Sequence, residues 1–285
     1  MIDSDRVESR ITIGMAIKEV LVIALIVFAY VVDIPVIILI GFALACLLVC
    51  FSSCEDSIYL LAFLTSFGGL FVYEGRHMFV VMVALFIIKF LLSGKIGYKT
   101  IMYYLIIVVY CLLFCDIQGD FSFAKLIGLI LLFAIPVVGA YSDRINGKVF
   151  FQQYIFGFAI QTIIGFFATK IPAIMEIFET DTILLATHSQ MTRFFGLAFD
   201  SNFYAMSNYV VVAYLLFGFK KMNMFRALLT VFFVISGLMT VSKSYFLVLI
   251  GLLLLFFVQK MKQPRHYVIV LCGGILAIGL FVFVS

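Results

Sequence analysis

Apolar runs of sixteen to twenty-one residues follow one another through almost the whole chain, and all but one of the polar breaks between them are shorter than ten residues. They fall at about 13–32, 34–51, 57–73, 77–93, 100–115, 122–141, 149–169, 203–219, 225–241, 244–259 and 267–284. At 1.5 Å per helical residue, each is close to the length that crosses a hydrocarbon layer about 30 Å thick. In that layer no water satisfies backbone N–H and C=O groups, and strictly alternating strand patterns are absent, so each run is expected as a helix. The fold expected is all-α: a polytopic transmembrane helical bundle of about eleven spans, forming a single domain over 1–285.

Composition agrees. Hydrophobic residues make up 65% of the chain and charged residues 12%, against about half and a quarter in a soluble domain. The 34 Phe and 14 Tyr are spread over nearly the full length, which leaves no segment for a detached soluble domain. The first run has no small-residue cleavage site after it and is expected as a retained helix. The net charge of +4 gives no basic stripe of the kind nucleic acid requires, and no nucleic-acid partner is expected.

Lys and Arg set the orientation. With the N-terminus inside, Arg6, Arg10, Lys18, Lys89, Lys95, Lys99, Arg144, Lys148, Lys220, Lys221, Arg226, Lys260, Lys262 and Arg265 fall on the inner face. Arg76, Lys125, Lys170, Arg193 and Lys243 fall outside, a division of fourteen against five. Five of the six inner segments carry at least two of these charges, the exception being Ser52–Asp56. The one long connection, 170–202, then lies on the outer side. Its first part, Pro172–Glu179, mixes Ile174, Met175, Ile177 and Phe178 with two acids, as an interfacial helix does. Its second part, Thr187–Asn202, is polar and leads into a span.

Candidate functional residues gather on that outer side. Arg193 runs against the charge bias, and its guanidinium fork matches phosphate or carboxylate. The alternative to that functional role is a lipid headgroup contact or a pair with Asp181 or Asp200. Lys243, within Thr240-Val-Ser-Lys-Ser244, stands where one run meets the next, so it is either a functional cation or a lysine reaching back to the surface. His188 has the chemistry of a general base. Asp200 and Asn202 precede the run from Phe203, where helix capping competes with catalysis as their role. Cys46, Cys50, Cys54, Cys111, Cys115 and Cys272 lie in or at the ends of apolar runs, which favours packing over disulfides. Gly68-Gly69 and Gly273-Gly274 are read as close helix contacts. There is no phosphate-cradling glycine loop and no metal-ligand spacing, and neither cofactor nor metal is expected.

The segment Arg193-Phe-Phe-Gly196-Leu-Ala-Phe-Asp200-Ser-Asn202-Phe-Tyr-Ala205 resembles the Arg-x-x-Gly…(Asp/Asn)-Pro-Asn-x-x-Ala pattern of O-antigen polymerases and O-antigen ligases. Thr240-Val-Ser242-Lys243-Ser244 is similar to their Thr-x-Ser-Arg segment. The resemblance implies a glycosyltransferase of the bacterial cytoplasmic (inner) membrane. Such an enzyme transfers glycan from an undecaprenyl-diphosphate carrier to an acceptor sugar, polymerising or ligating repeat units into O-antigen, capsule or exopolysaccharide. It implies that Arg193 and Lys243 hold the diphosphate; the residues themselves add Asn202 and Ser242 as substrate-binding candidates and Asp200 or His188 as the base. It also implies membrane lipid and other polysaccharide-assembly proteins as partners. Two departures stand out: Ser201 replaces the proline, and Lys243 replaces an arginine. The family continues into a large outer loop where this chain ends at Ser285, so a C-terminal truncation is expected. A flippase or transporter for lipid-linked oligosaccharide and a non-catalytic membrane subunit remain as readings from other classes.

Overall fold

Val32-Asp33-Ile34-Pro35 is a tight turn between two helices, α1 (Ile13–Val32) and α2 (Pro35–Phe51). Asp33 takes φ 55°, a left-handed conformation that a short polar side chain tolerates. Pro35 opens α2, where its missing N–H costs nothing. The two helices lie close: a Cβ on Gly41 would meet Ile26 Cγ1 at 2.6 Å. The computed structural model describes residues 13–73, 76–93, 102, 105–106, 109, 145–168, 194–198, 201–219 and 222–260. The expected runs at 122–141 and 267–284, most of that at 100–115, and the loop from 170 to Arg193 lie outside the described residues. So do Cys111, Cys115 and Cys272.

Next comes α3 (Cys54–Thr65), capped by Ser53, whose Oγ accepts from the Asp56 amide at 3.0 Å. Glu55 and Asp56 in its first turn suit the positive end of the helix. The expected run to 73 stops early. After Thr65 the chain passes into a 3-10 turn at Gly68–Leu70, and a Cβ on Gly68 would meet nothing within 4 Å. Gly68 therefore does not mark a close helix contact. Twelve residues make about 18 Å of helix, too short to span a bilayer core alone. A two-residue antiparallel ladder, β1 (Val72–Tyr73) with β2 (Arg76–His77), leads into α4 (Phe79–Leu92).

Four further helices follow among the described residues: α5 (Gly147–Ala168), α6 (Ser201–Phe217), α7 (Met224–Leu238) and α8 (Lys243–Lys260). The α-helices account for nearly all the described secondary structure, as expected of an all-α chain. The described residues divide into two compact units, one running to Gln161 and the other from Thr162 onward.

In the first unit the helix ends meet as an up-and-down order requires. The Tyr30 hydroxyl at the far end of α1 donates to Leu70 O at 3.0 Å. At the opposite end, Lys89 Nζ from α4 donates to Val49 O at 2.7 Å, to Ser57 Oγ at 2.8 Å and to Ser52 O. This lysine covers carbonyls that the end of α2 leaves open. It also brings a cation to Ser52–Asp56, the segment that has none of its own. Nearby, the Asn146 amide donates to Tyr59 Oη at 2.9 Å. In the second unit α6 packs on both α7 and α8. Arg226 in α7 lays its guanidinium over the Phe219 ring at 3.6 Å.

Among the described residues, two helices, Gly14–Val32 and Gly147–Ala168, are long and apolar enough to cross a membrane. Four shorter apolar helices are Pro35–Phe51, Phe79–Phe90, Met224–Leu238 and Lys243–Gln259. Alongside an apolar core, the described helices expose many large apolar side chains and bury several polar ones. Leu21, Phe28, Phe51, Phe203 and Leu228 are exposed, whereas Glu19, Ser57, Gln153, Asn208 and Ser236 are buried.

Candidate functional site

The two motif segments meet in the second unit, and hydrogen bonds join them. The Phe194 amide, next to Arg193, donates to Met239 O at 3.0 Å, just before Thr240. Ser242 Oγ donates to Asn202 Oδ1 at 3.1 Å and takes the Ser244 hydroxyl at 2.8 Å. Residues forty positions apart in the sequence thus hold each other. Arg193, His188 and Asp200 lie outside the described residues. Among the described candidates, Ser242 is buried, whereas Asn202 and Lys243 are exposed.

Local chemistry accounts for the shape of each segment. Gly196 has φ 60°, a conformation in which any other residue is strained. It is also where α5 comes closest: a Cβ on Gly165 would stand 2.6 Å from Gly196 Cα. The glycine of the first motif therefore answers both to backbone conformation and to space. Phe194 is held from two sides, stacked on Phe166 at 4.6 Å and edge-on to Tyr204 at 5.0 Å, while Leu197 is completely buried. The residue after Arg193 is thus fixed to the scaffold.

The second motif is the turn between α7 and α8. Thr240 Oγ1 donates to Gly237 O at 2.7 Å and accepts from the Ser242 amide at 3.3 Å. Between them Val241 adopts φ 52°, a left-handed conformation that a β-branched residue enters only under strain of about 1–3 kcal/mol. The turn delivers Lys243 to the first position of α8, exposed, next to the first turn of α6. Two helix N-termini of seventeen- and eighteen-residue helices are thereby linked through Asn202 and Ser242. N-termini carry partial positive charge and open N–H groups, which suit an anion.

Beneath the turn lies a buried polar core that the sequence reading did not single out. Thr162 and Tyr204 hydroxyls lie 2.8 Å apart, and the Tyr204 hydroxyl donates to Ser236 Oγ at 2.9 Å. Asn208 Nδ2 donates to the same Ser236 Oγ at 3.0 Å, and Ser236 Oγ donates to Phe233 O at 3.0 Å. The Tyr245 hydroxyl completes the set by donating to Asn208 Oδ1 at 2.8 Å. Thr162, Tyr204, Asn208 and Ser236 are all fully buried. Donors and acceptors match throughout, so the network orders α5, α6, α7 and α8 at the cost of no orphaned group. The signal was present in α6, where Ser201, Tyr204 and Asn208 recur at helical spacing on one face. Gly237 admits Tyr245 into this core, because a Cβ there would lie 2.1 Å from the ring carbon Cζ.

Outside this site, Cys46, Cys50 and Cys54 are free thiols. No cluster of three or more His, Cys, Asp or Glu capable of holding a metal ion occurs among the described residues. The chain gives no significant match to a protein-family model, to a curated protein or to a solved structure.

Proposed function

We propose that this chain is a polytopic membrane glycosyltransferase of the bacterial cytoplasmic membrane. It joins undecaprenyl-diphosphate-linked oligosaccharide repeat units by polymerisation or ligation. The bundle in this reading has about eleven spans with the N-terminus inside, and the 170–202 connection and the α7–α8 turn face outward. The observation that carries the reading is the contact between the two motif segments. Asn202 and Ser242 are hydrogen-bonded, and Lys243 stands exposed at the start of α8 beside them.

Glycosyl transfer from this carrier breaks the bond between the sugar anomeric carbon and the diphosphate oxygen, and the departing diphosphate gains negative charge. Cations and helix N-termini placed where that charge develops stabilise the transition state more than the ground state. Lys243 and the start of α8 supply such a site, and Arg193, one residue before the anchored Phe194, supplies the bidentate partner. Asp200 or His188 takes the proton of the acceptor hydroxyl. No metal or nucleotide enters the reaction.

The test is polymer formation in cells or in proteoliposomes given the lipid-linked repeat. Arg193→Ala and Lys243→Ala are each expected to abolish long-chain glycan while the protein remains in the membrane at its normal level. Normal chain length in either variant removes that residue from the site.

One observation favours a second reading, a transporter of the same lipid-linked substrate. Glu19, a carboxyl inside the helix Ile13–Val32, is buried, and ionisable groups at such positions commonly serve transport. Movement of a labelled lipid-linked repeat across proteoliposomes, with no change in its length, distinguishes the two.

A further inference from the structure

All fifteen acidic residues of the chain precede Ser201, whereas seven of its lysines and arginines follow it. From the start of α6 onward the charge is therefore purely cationic. Six of the seven cations belong to one end of the second unit. Lys220, Lys221 and Arg226 fall in the α6–α7 connection and the first turn of α7, while Lys260, Lys262 and Arg265 close or follow α8. The rings of Phe217 and Phe256 lie 6.2 Å apart, so α6 and α8 end side by side, and Lys260 comes one turn after Phe256. The seventh cation, Lys243, starts α8 at the other end. The seventeen residues of α6 separate the two ends by about 25 Å at 1.5 Å per residue.

An excess of cations orients a chain in a membrane without needing a fixed geometry. Arg226 has one. Its guanidinium lies 3.6 Å over the Phe219 ring, which is itself held edge-on by Tyr214 at 5.2 Å. Gly218 permits this close return of the chain, because a Cβ there would meet Tyr214 O at 2.6 Å. Asn223 Oδ1 takes the Arg226 amide at 2.9 Å, which fixes the backbone as the ring fixes the side chain. A guanidinium held in this way loses little further freedom on binding, and its donors match the oxygens of a phosphate. In the first unit Lys89 differs, since its ammonium caps carbonyls of its own chain.

The surface beside Arg226 is apolar. Met222, Met224, Phe225 and Leu228 are exposed, Met224 to 79% and Phe225 to 71%. Cations bordered by exposed Met and Phe at the end of an apolar helix fit an anionic headgroup with its acyl chains alongside. A soluble anion has no use for the apolar border.

We propose that the α6–α7 end of the second unit is a binding site for an anionic phospholipid, with Arg226, stacked on Phe219, on the phosphodiester and Met224 and Phe225 against the acyl chains. The lipid is of the phosphatidylglycerol kind, with a phosphodiester and no cation in its headgroup. A zwitterionic lipid brings an ammonium to a region that has six cations and no acid to receive it. The site lies at the opposite end of α6 from the Asn202–Ser242 contact and stands whether or not the glycosyltransferase reading holds.

The test uses the full chain purified in detergent. It has no tryptophan and six cysteines, so unfolding is followed with a thiol-reactive dye. Short-chain phosphatidylglycerol, short-chain phosphatidylcholine and inorganic phosphate are each titrated at constant ionic strength. Phosphatidylglycerol is expected to raise the melting temperature saturably, by about 5 °C or more at a hundredfold excess over its Kd. Phosphatidylcholine and phosphate are expected to leave it unchanged. Arg226→Gln is expected to weaken the apparent affinity by about tenfold or more, whereas Lys148→Gln, which removes an exposed cation of the first unit, leaves it as it was. A wild type that melts alike with the two lipids overturns the proposal without recourse to a variant. So does a rise that phosphate reproduces, which identifies a free-anion site, and so do equal losses in Arg226→Gln and Lys148→Gln, which reduce the effect to diffuse surface charge. Should Arg226→Gln not fold, Phe219→Leu keeps the charge and removes the ring, and unchanged affinity in that variant overturns the proposal as well.

Discussion

Replacing Gly165 by alanine tests whether the first motif segment is shaped by the helix behind it. The added Cβ would stand 2.6 Å from Gly196 Cα, 2.8 Å from its carbonyl carbon and 3.0 Å from its oxygen, whereas ordinary contact begins near 3.4 Å. All three atoms are backbone, so no side chain can swing away. The 194–198 segment must retreat by most of an ångström or α5 must shift. Overpacking of this kind costs about 1–3 kcal/mol. Retreat of the segment also stretches the Phe194 amide bond to Met239 O, now 3.0 Å, at a further cost of about 0.5–1.5 kcal/mol. Against this, alanine gains about 1 kcal/mol over glycine in a helix interior. The clash wins, with a net loss of about 1–3 kcal/mol, read as a melting temperature lower by about 2–8 °C. Gly251→Ala in α8 is the control, because a Cβ there meets nothing within 4 Å and only the propensity gain remains. Under the proposed function, where Arg193 adjoins the displaced Phe194, the Gly165 variant is also expected to lose glycan polymer out of proportion to its stability loss. A Gly165→Ala protein that melts at or above the wild type, as Gly251→Ala is expected to, refutes the close approach of α5 to Gly196.

Two other perturbations read single interactions. Tyr245→Phe removes the donor to Asn208 Oδ1 at 2.8 Å and leaves a buried acceptor unpaired, for an expected loss of about 1–3 kcal/mol. Full wild-type stability in thermal melts counts against the network as drawn. Lys89→Met keeps the aliphatic stem but releases Val49 O, Ser52 O and Ser57 Oγ. About 1.5–3 kcal/mol of stability is expected to go with these charge-assisted bonds. Hydrogen exchange at the end of α2 is the direct measure, and unchanged protection there disproves the capping role.

How far the sequence carries depends on whether the cause is local. The run at about 13–32 was legible as a helix, and the α1–α2 turn was expected at Asp33, because apolar length, a turn acid and a following proline are all short-range signals. The runs that became α6, α7 and α8 were placed within two or three residues for the same reason. The end of α3 at Thr65 was missed because the apolar run continues to residue 73, and hydropathy carries no signal of where a helix stops inside such a run. The Asn202 and Ser242 candidates were legible as members of two motifs. Their hydrogen bond was not, since it joins positions forty residues apart.

What the sequence determined by itself is the all-helical character of the described chain and the placing of its outward faces in apolar residues. A run of twenty apolar side chains has few ways to satisfy its backbone away from water, whatever surrounds it. What only the tertiary structure decided is which polar residues face one another. Tyr204, Asn208, Ser236 and Tyr245 form a closed, fully bonded core, whereas Glu19 of α1 and Gln153 of α5 form a buried pair of their own. In sequence these are the same kind of event, a lone polar residue in an apolar run. Their difference lies in the partners that three-dimensional packing brings within 3 Å, and hydrogen bonding is too short-ranged for any local pattern to report it.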